Sequence, residues 1–209
     1  MVNTEHNAMR GFQIILDWAV KLAYLNILWI LFSLLGLGIF GIGPATVSLF
    51  GVIRKRLRYG TDFSMTKEFV EIYRSNFWSA NRLMWALIPA YLFVWIDFAL
   101  IRLLPSSFII DKVVFLSVII LSLLIVIVTC YVFAVYVHFD LAFWRNFKFA
   151  VMIAGISPLS TIMILLGLFV CSILILIVPA GSIFYLISVP VLIIQSSALM
   201  AFKKIPEPA

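Results

Sequence analysis

The run from Trp18 to Ile53 constrains this chain more than any other feature. It holds 36 residues with one charge, Lys21, and ends abruptly in Arg54-Lys55-Arg56-Leu57-Arg58. One helix crosses hydrocarbon with ~20 apolar residues, so the run is too long for a single straight span. The stretch Gly36-Leu37-Gly38-Ile39-Phe40-Gly41-Ile42-Gly43-Pro44 marks a break near its middle. The expectation is a membrane hairpin over 18–53, bent at Gly43-Pro44 and stopped by cations. Its second arm, Pro44 to Ile53, is short. Either the basic residues at 54–58 snorkel to the headgroups or the arm is re-entrant.

Composition agrees with a life in lipid. Hydrophobic residues make up 65% of the 209 and charged residues only 11%, with a mean hydropathy of +1.18. A water-facing domain carries about 25% charged residues. The net charge of +6 does not point to nucleic acid, because the basic residues flank apolar runs instead of forming a basic domain. That placement suits anionic headgroups and topology control. Cys130 and Cys171 lie inside apolar runs and read as small core residues, with neither disulfide nor metal-site spacing. The first apolar stretch is too long for a cleavable leader and no A-x-A-like site follows it.

Further segments follow the N-terminal arm, 1–17, and the hairpin. A basic, amphipathic region occupies 54–82, with a helix expected from about Thr66 to Asn81 after the caps Ser64 or Thr66. Phe69, Tyr73 and Phe77 fall on one face of it, and Lys67, Glu71, Arg74 and Asn81 on the others, as for an element lying among headgroups. Spans are expected at 83–104, 113–137, 158–178 and 182–200, with Pro179-Ala180-Gly181 as the last hairpin turn and 201–209 as a tail. The β-branched run Val113 to Val137 is expected to be helical despite its strand propensity, because an isolated strand leaves its backbone unsatisfied in lipid. The fold class is therefore all-α: a polytopic bundle of five to six membrane segments plus interfacial amphipathic helices, forming one domain.

Positive charge orients it. The region 54–82 carries seven Lys or Arg, the 102–112 and 138–157 connections two each, and the tail two. The bias places 54–82, 138–157 and the tail in the cytoplasm. Asn76-Phe77-Trp78-Ser79-Ala80 and Asn146-Phe147-Lys148-Phe149-Ala150 share N-F-x-x-A, each followed by a proline, Pro89 and Pro158. This is a weak echo of the internal repeats found in transporters.

Candidate functional residues are few. Asp97 is an acid inside a span, a functional candidate by default. Yet it lies ~22 Å beyond Arg82, near the far interface, beside Trp95 and Arg102. Gly43, Pro44 and Thr46 could present free N–H groups to a ligand, or simply make a bend. Asn26 needs a hydrogen-bond partner and reads as glue between helices. Arg54 belongs to the topology anchor, and Arg74 and Asn76 to the amphipathic helix. His138 and Asp140 have no second His or Cys nearby, so neither metal nor cofactor is expected. No Walker lysine loop, HExxH, dinucleotide turn or Ser-His-Asp set occurs. Two histidines, His6 and His138, leave little for acid–base work. The chain does not read as an enzyme.

Four stretches together resemble the YesL family of small bacterial membrane proteins, a domain of unknown function. They are Tyr24-Leu25-Asn26-Ile27-Leu28-Trp29, Gly41-Ile42-Gly43-Pro44-Ala45-Thr46, Val52-Ile53-Arg54-Lys55, and Phe69-Val70-Glu71-Ile72-Tyr73-Arg74-Ser75-Asn76-Phe77. The resemblance implies a plasma-membrane protein, often encoded beside importers of plant-derived oligosaccharides, and supplies no catalytic residue. Two functional classes follow. One is an accessory factor for an ABC-type oligosaccharide permease, with Phe69, Tyr73, Phe77 and Arg74 as the contact surface. The other is a small-solute transporter or channel lined by Asp97, Asn26 and the Gly43-Pro44 bend. A lipid- or envelope-related scaffold is a third reading.

Overall fold

The computed structural model describes residues 2–60, 63–101 and 108–204, with side chains at 2–10, 100–101, 108–111 and 180 left aside. The connection at 102–107 and the tail beyond 204 lie outside the described residues. Among those described, nine helices run in chain order: α1 (Val2–Leu35), α2 (Ile39–Tyr59), α3 (Met65–Ser75), α4 (Phe77–Ile101), α5 (Phe108–His138), α6 (Phe143–Ile156), α7 (Pro158–Ile177), α8 (Pro179–Ser182) and α9 (Ser188–Phe202). No strand occurs among the described residues, and the β-branched run at 113–137 is helical as backbone satisfaction in lipid demands.

Four helices among the described residues are long and apolar enough to cross a membrane: Gly11–Leu35, Phe77–Ala99, Lys112–His138 and Pro158–Ile177. Their side chains face outward along much of their length, as lipid-facing helices do. Trp78 and Trp95 are both exposed on α4. They stand about 26 Å apart along the axis, close to the hydrocarbon thickness, and so mark its two interfaces.

The expected hairpin exists, but its bend is elsewhere. The chain turns at Gly36–Gly38, with Leu37 at φ 57° and Gly38 at φ 74°. Pro44 lies inside α2, so the second arm is a full 21-residue helix and not a ten-residue stub. Close approach selects the turn. A Cβ on Gly36 would sit 2.3 Å from Gly41 Cα, and one on Gly41 2.2 Å from the Ser33 carbonyl oxygen. Gly43-Pro44 tolerates helix because Pro44 sits in its second turn, where loss of one N–H can be covered from outside.

Helix α2 is the hub. It packs against α1, α3, α4, α5 and α9, and Gly43 to Ala45, Val47 to Phe50, Val52, Ile53 and Arg56 are buried. Shielding from lipid explains how a helix ending in four cations within five residues can sit at the centre. Arg56, 5% exposed, donates from Nη2 to Asp17 of α1 at 2.7 Å and lies 4.7 Å from the Trp18 ring. Asp17 also pairs with Lys21. This places the start of the α1 span beside the end of α2.

Two further expectations need correction. The helix from Thr66 to Asn81 is broken at Asn76, so that Phe77 onward belongs to α4. The face carrying Phe69 and Tyr73 is buried in the protein instead of presented to a partner. Tyr73 donates its hydroxyl to the Phe32 carbonyl at 3.0 Å, and burial raises its pKa above the ordinary phenol range. The last span, 182–200, is not continuous either. Pro179–Ser182 forms one helical turn, residues 183–187 form hydrogen-bonded turns, and α9 has only 15 residues. Non-helical backbone at this depth survives where protein surrounds it, and Asn26 supplies the missing partners.

Candidate functional site: a polar chamber at the basic end

The polar residues predicted inside the spans are mostly consumed by the fold. Asn26, 1% exposed, donates from Nδ2 to the Ile183 carbonyl at 2.7 Å. Its Oδ1 accepts from the N–H groups of Ile187 at 3.1 Å and Ser188 at 3.3 Å. One side chain thus satisfies the free backbone at the start of α9, the glue role expected of it. Thr46 Oγ1 donates to the Ile42 carbonyl at 2.7 Å and accepts from Trp29 Nε1 at 3.1 Å. Gly43 allows α4 to approach: a Cβ there would lie 3.1 Å from the Ala80 carbonyl oxygen. Pro44 has no N–H for the Phe40 carbonyl four residues back. The buried Asn81 of α4 donates to that carbonyl instead, at 2.9 Å, and to the Phe77 carbonyl at 2.9 Å.

Asp97 is half-exposed on α4, just beyond Trp95 at the far interface. Helix α4 packs on α2 and α5, whereas Asn26 ties α1 to α9. The Gly43-Pro44 segment lies on α2, which packs against α1, α4 and α9. Arg74 points outward from α3, along a shallow groove with Thr66, Lys67, Val70 and Glu71.

Arg54 and Asn76 come together with residues the sequence did not single out. Where α3 breaks, Asn76 accepts a hydrogen bond from the Tyr136 hydroxyl at 2.8 Å through Oδ1. Its Nδ2 donates to the Ile72 carbonyl at 3.1 Å. Tyr136 sits in the last turn of α5, which then stops at His138. The chain reverses through Phe139 to Ala142 and re-enters helix at Phe143. Asn146, 1% exposed, holds this corner by donating to the Leu141 and Ala142 carbonyls at 3.3 Å, while its Oδ1 has no partner. Between the α3–α4 break and the α5–α6 corner lies a chamber of about 460 Å³, lined by Asn76, Ser79, Arg82, Tyr136, Asp140 and Asn146 among others.

A second cavity of about 400 Å³ shares Asn76 and Tyr136 and adds Arg54, Lys55, Tyr59 and Glu68. Lys55 pairs with Glu68. Arg54 donates from Nε to His138 Nδ1 at 3.2 Å, so that this nitrogen is the unprotonated one. The chamber combines one guanidinium, one carboxylate, one imidazole, two amides and two hydroxyls. That set can hold and orient a polar group. No group of three His, Cys, Asp or Glu able to hold a metal occurs among the described residues. Asn146 was visible only as half of the N-F-x-x-A echo, and the two copies differ locally: the helix breaks at Asn76 but runs through Asn146 to Ile156. Tyr136 gave no signal, being one aromatic in an apolar run.

A family model described as "Protein of unknown function, DUF624" matches residues 22–98, the part from the middle of α1 to the end of the α4 span. Three proteins of Bacillus subtilis (strain 168) are similar, each described as uncharacterized. YesL is 32% identical over 163 residues, 78% of this chain and 75% of YesL. YesV is 31% identical over 150 residues, 71% of this chain and 70% of YesV. YteU is 38% identical over 130 residues, 62% of this chain but only 56% of YteU, so the alignment spans little more than half of that relative. No solved structure matches.

Proposed function

The chain belongs to the DUF624 family of YesL-like proteins, and on that footing we propose that it is a multi-pass cell-membrane protein that binds and supports a partner, neither catalysing nor conducting. The partner class we propose is an ABC-type oligosaccharide permease, with the basic end in the cytoplasm. One observation supports binding over conduction: within the helices Asn26, Thr46 and the Nδ2 of Asn81 are bonded to backbone groups, and the unpartnered atoms of Ser33, Asn81 and Gln195 are buried and line neither polar cavity. The open polar cavities that involve Arg54, Asn76 and Arg82 lie at one end of the bundle. A transport path needs polar groups free to exchange partners along its length.

The contact surface differs from the one expected. With Phe69 and Tyr73 buried, the outward face of α3 consists of Thr66, Lys67, Glu71 and Arg74 around Val70. A photo-crosslinking residue at Glu71 or Arg74 in the native host tests this reading. Covalent recovery of permease subunits, absent when the probe sits at the lipid-facing Leu166 of α7, supports it. Recovery of none from either α3 position overturns it, as does substrate-dependent flux through the purified chain reconstituted alone.

A further inference from the structure

A third cavity opens at the same end, between the last turns of α2, α5 and α9. It measures about 570 Å³ and is lined by Arg58, His138, Phe139, Leu199, Phe202 and Lys203 among others. Its floor is aromatic. The His138 ring lies 4.4 Å from Phe202, and Phe139 lies 5.2 Å from Phe202. Two cations stand at its margin and hydrocarbon surfaces form its wall, so the cleft is amphipathic in the sense of a lipid at the headgroup boundary.

The local charge is unbalanced. Of the four cations ending α2, Lys55 is paired with Glu68 and Arg56 with Asp17. Among the described residues, Arg54, Arg58 and Lys203 have no carboxylate partner. Arg54 is half-buried and its Nε is spent on a neutral nitrogen of His138. The C-termini of α2, α5 and α9 each offer roughly half a negative charge. The two cations that line the cleft, Arg58 and Lys203, against three such ends leave about half a positive charge facing it, and no carboxylate lines it. A phosphodiester, with one negative charge and several acceptor oxygens, can take hydrogen bonds from both cations, and guanidinium recognises its oxygens well. The apolar wall selects an amphiphile over a free ion.

We propose that this cleft is a specific site for one anionic phospholipid, its phosphate between Arg58 and Lys203 and its glycerol and first methylenes against Phe139, Leu199 and Phe202. The assignment rests on the reading of the chain as a membrane protein but on neither its orientation nor its protein partner. The site can therefore fail while the crosslinking result stands, and the reverse.

The experiment is native mass spectrometry of the full chain released from detergent, with phosphatidylglycerol, phosphatidylcholine and inorganic phosphate as separate probes. One phosphatidylglycerol retained per chain is the expected result, with phosphatidylcholine held about tenfold less well and phosphate unable to compete at millimolar concentration. The pair Arg58→Gln with Lys203→Gln lowers retention about tenfold or more. The pair Lys67→Gln with Arg74→Gln, an equal charge loss on the outer face of α3, leaves it unchanged. Leu199→Trp fills the cleft without altering charge and also lowers retention, so the test survives if the double charge variant does not fold. Equal loss in both charge pairs would mean diffuse attraction and overturn the site. Equal retention of phosphatidylcholine, or full displacement by phosphate, would overturn the lipid assignment.

Discussion

The pairing of Pro44 with Asn81 gives the sharpest test of how this bundle is held together. Pro44 leaves the Phe40 carbonyl without its helical donor, and Asn81 Nδ2 reaches across from α4 to cover it at 2.9 Å. The second acceptor, the Phe77 carbonyl, also has the backbone N–H of Asn81 available, so Asn81→Ala orphans Phe40 alone. A buried carbonyl left bare costs about 1–3 kcal/mol. Hydrogen bonds between membrane helices measure nearer 0.6 and at most about 1.7 kcal/mol, because the unfolded state in lipid also finds partners. About 1 kcal/mol is therefore expected for this bond, with a further cost for the cavity that the truncated side chain leaves and an offsetting gain from losing the buried, unpartnered Oδ1.

Adding Pro44→Ala restores an N–H to α2, which then covers Phe40 from within the helix. The cavity cost and the Oδ1 gain are common to both backgrounds and cancel. Asn81→Ala should therefore cost about 1 kcal/mol less in the Pro44→Ala background than in the parent. Reversible unfolding in mixed micelles, followed by tryptophan fluorescence for all four members of the cycle, measures this coupling. Independent sites add within about 0.3–0.5 kcal/mol. A coupling inside that range would show that Asn81 does not stand in for the missing donor.

Two other outcomes follow from the packing. Gly41→Ala should abolish folded, monodisperse protein on size-exclusion chromatography, since its Cβ would fall 2.2 Å from the Ser33 carbonyl oxygen; Gly155→Ala, with nothing within 4 Å, should behave as the parent. Gln195 is fully buried on α9 with both amide atoms unpartnered. Gln195→Leu should hold or raise the unfolding free energy, by up to about 1–3 kcal/mol; a clear loss would mean that the amide serves a bound molecule.

Much of the architecture was legible in the chain itself. The apolar runs at 83–104, 113–137 and 158–178 correspond to α4, α5 and α7 within a few residues, because lipid admits few alternatives to a satisfied helix. Breaks were harder to place. Gly36–Gly38 and Gly43-Pro44 carry equal turn chemistry locally, and only the contact between Gly36 and Gly41 decides between them. The interruption at 183–187 had no composition signal, since the backbone groups its own turns leave open, at Ile183, Ile187 and Ser188, are met by Asn26, more than 150 residues earlier. Asn26 was recognisable as glue because an amide inside a span must find a partner. The chamber was not recognisable: Asn76, Arg82, Tyr136 and Asn146 converge only through two helix breaks that periodicity cannot position.

The central place of α2 bears on how such chains are counted and how they change. Hydropathy measures the energy of meeting lipid, and α2 scarcely meets it; its solvent is the other helices. A count of long, charge-poor apolar helices finds the shell and passes over the hub because four cations end it. For the shell, bilayer thickness and lipid type set which residues are tolerated. For α2 the limits are the shapes of its five neighbours, so Leu49 fits at one position while Gly43, against the Ala80 carbonyl, leaves no room for a leucine, and a buried cation such as Arg56 persists where it has a partner.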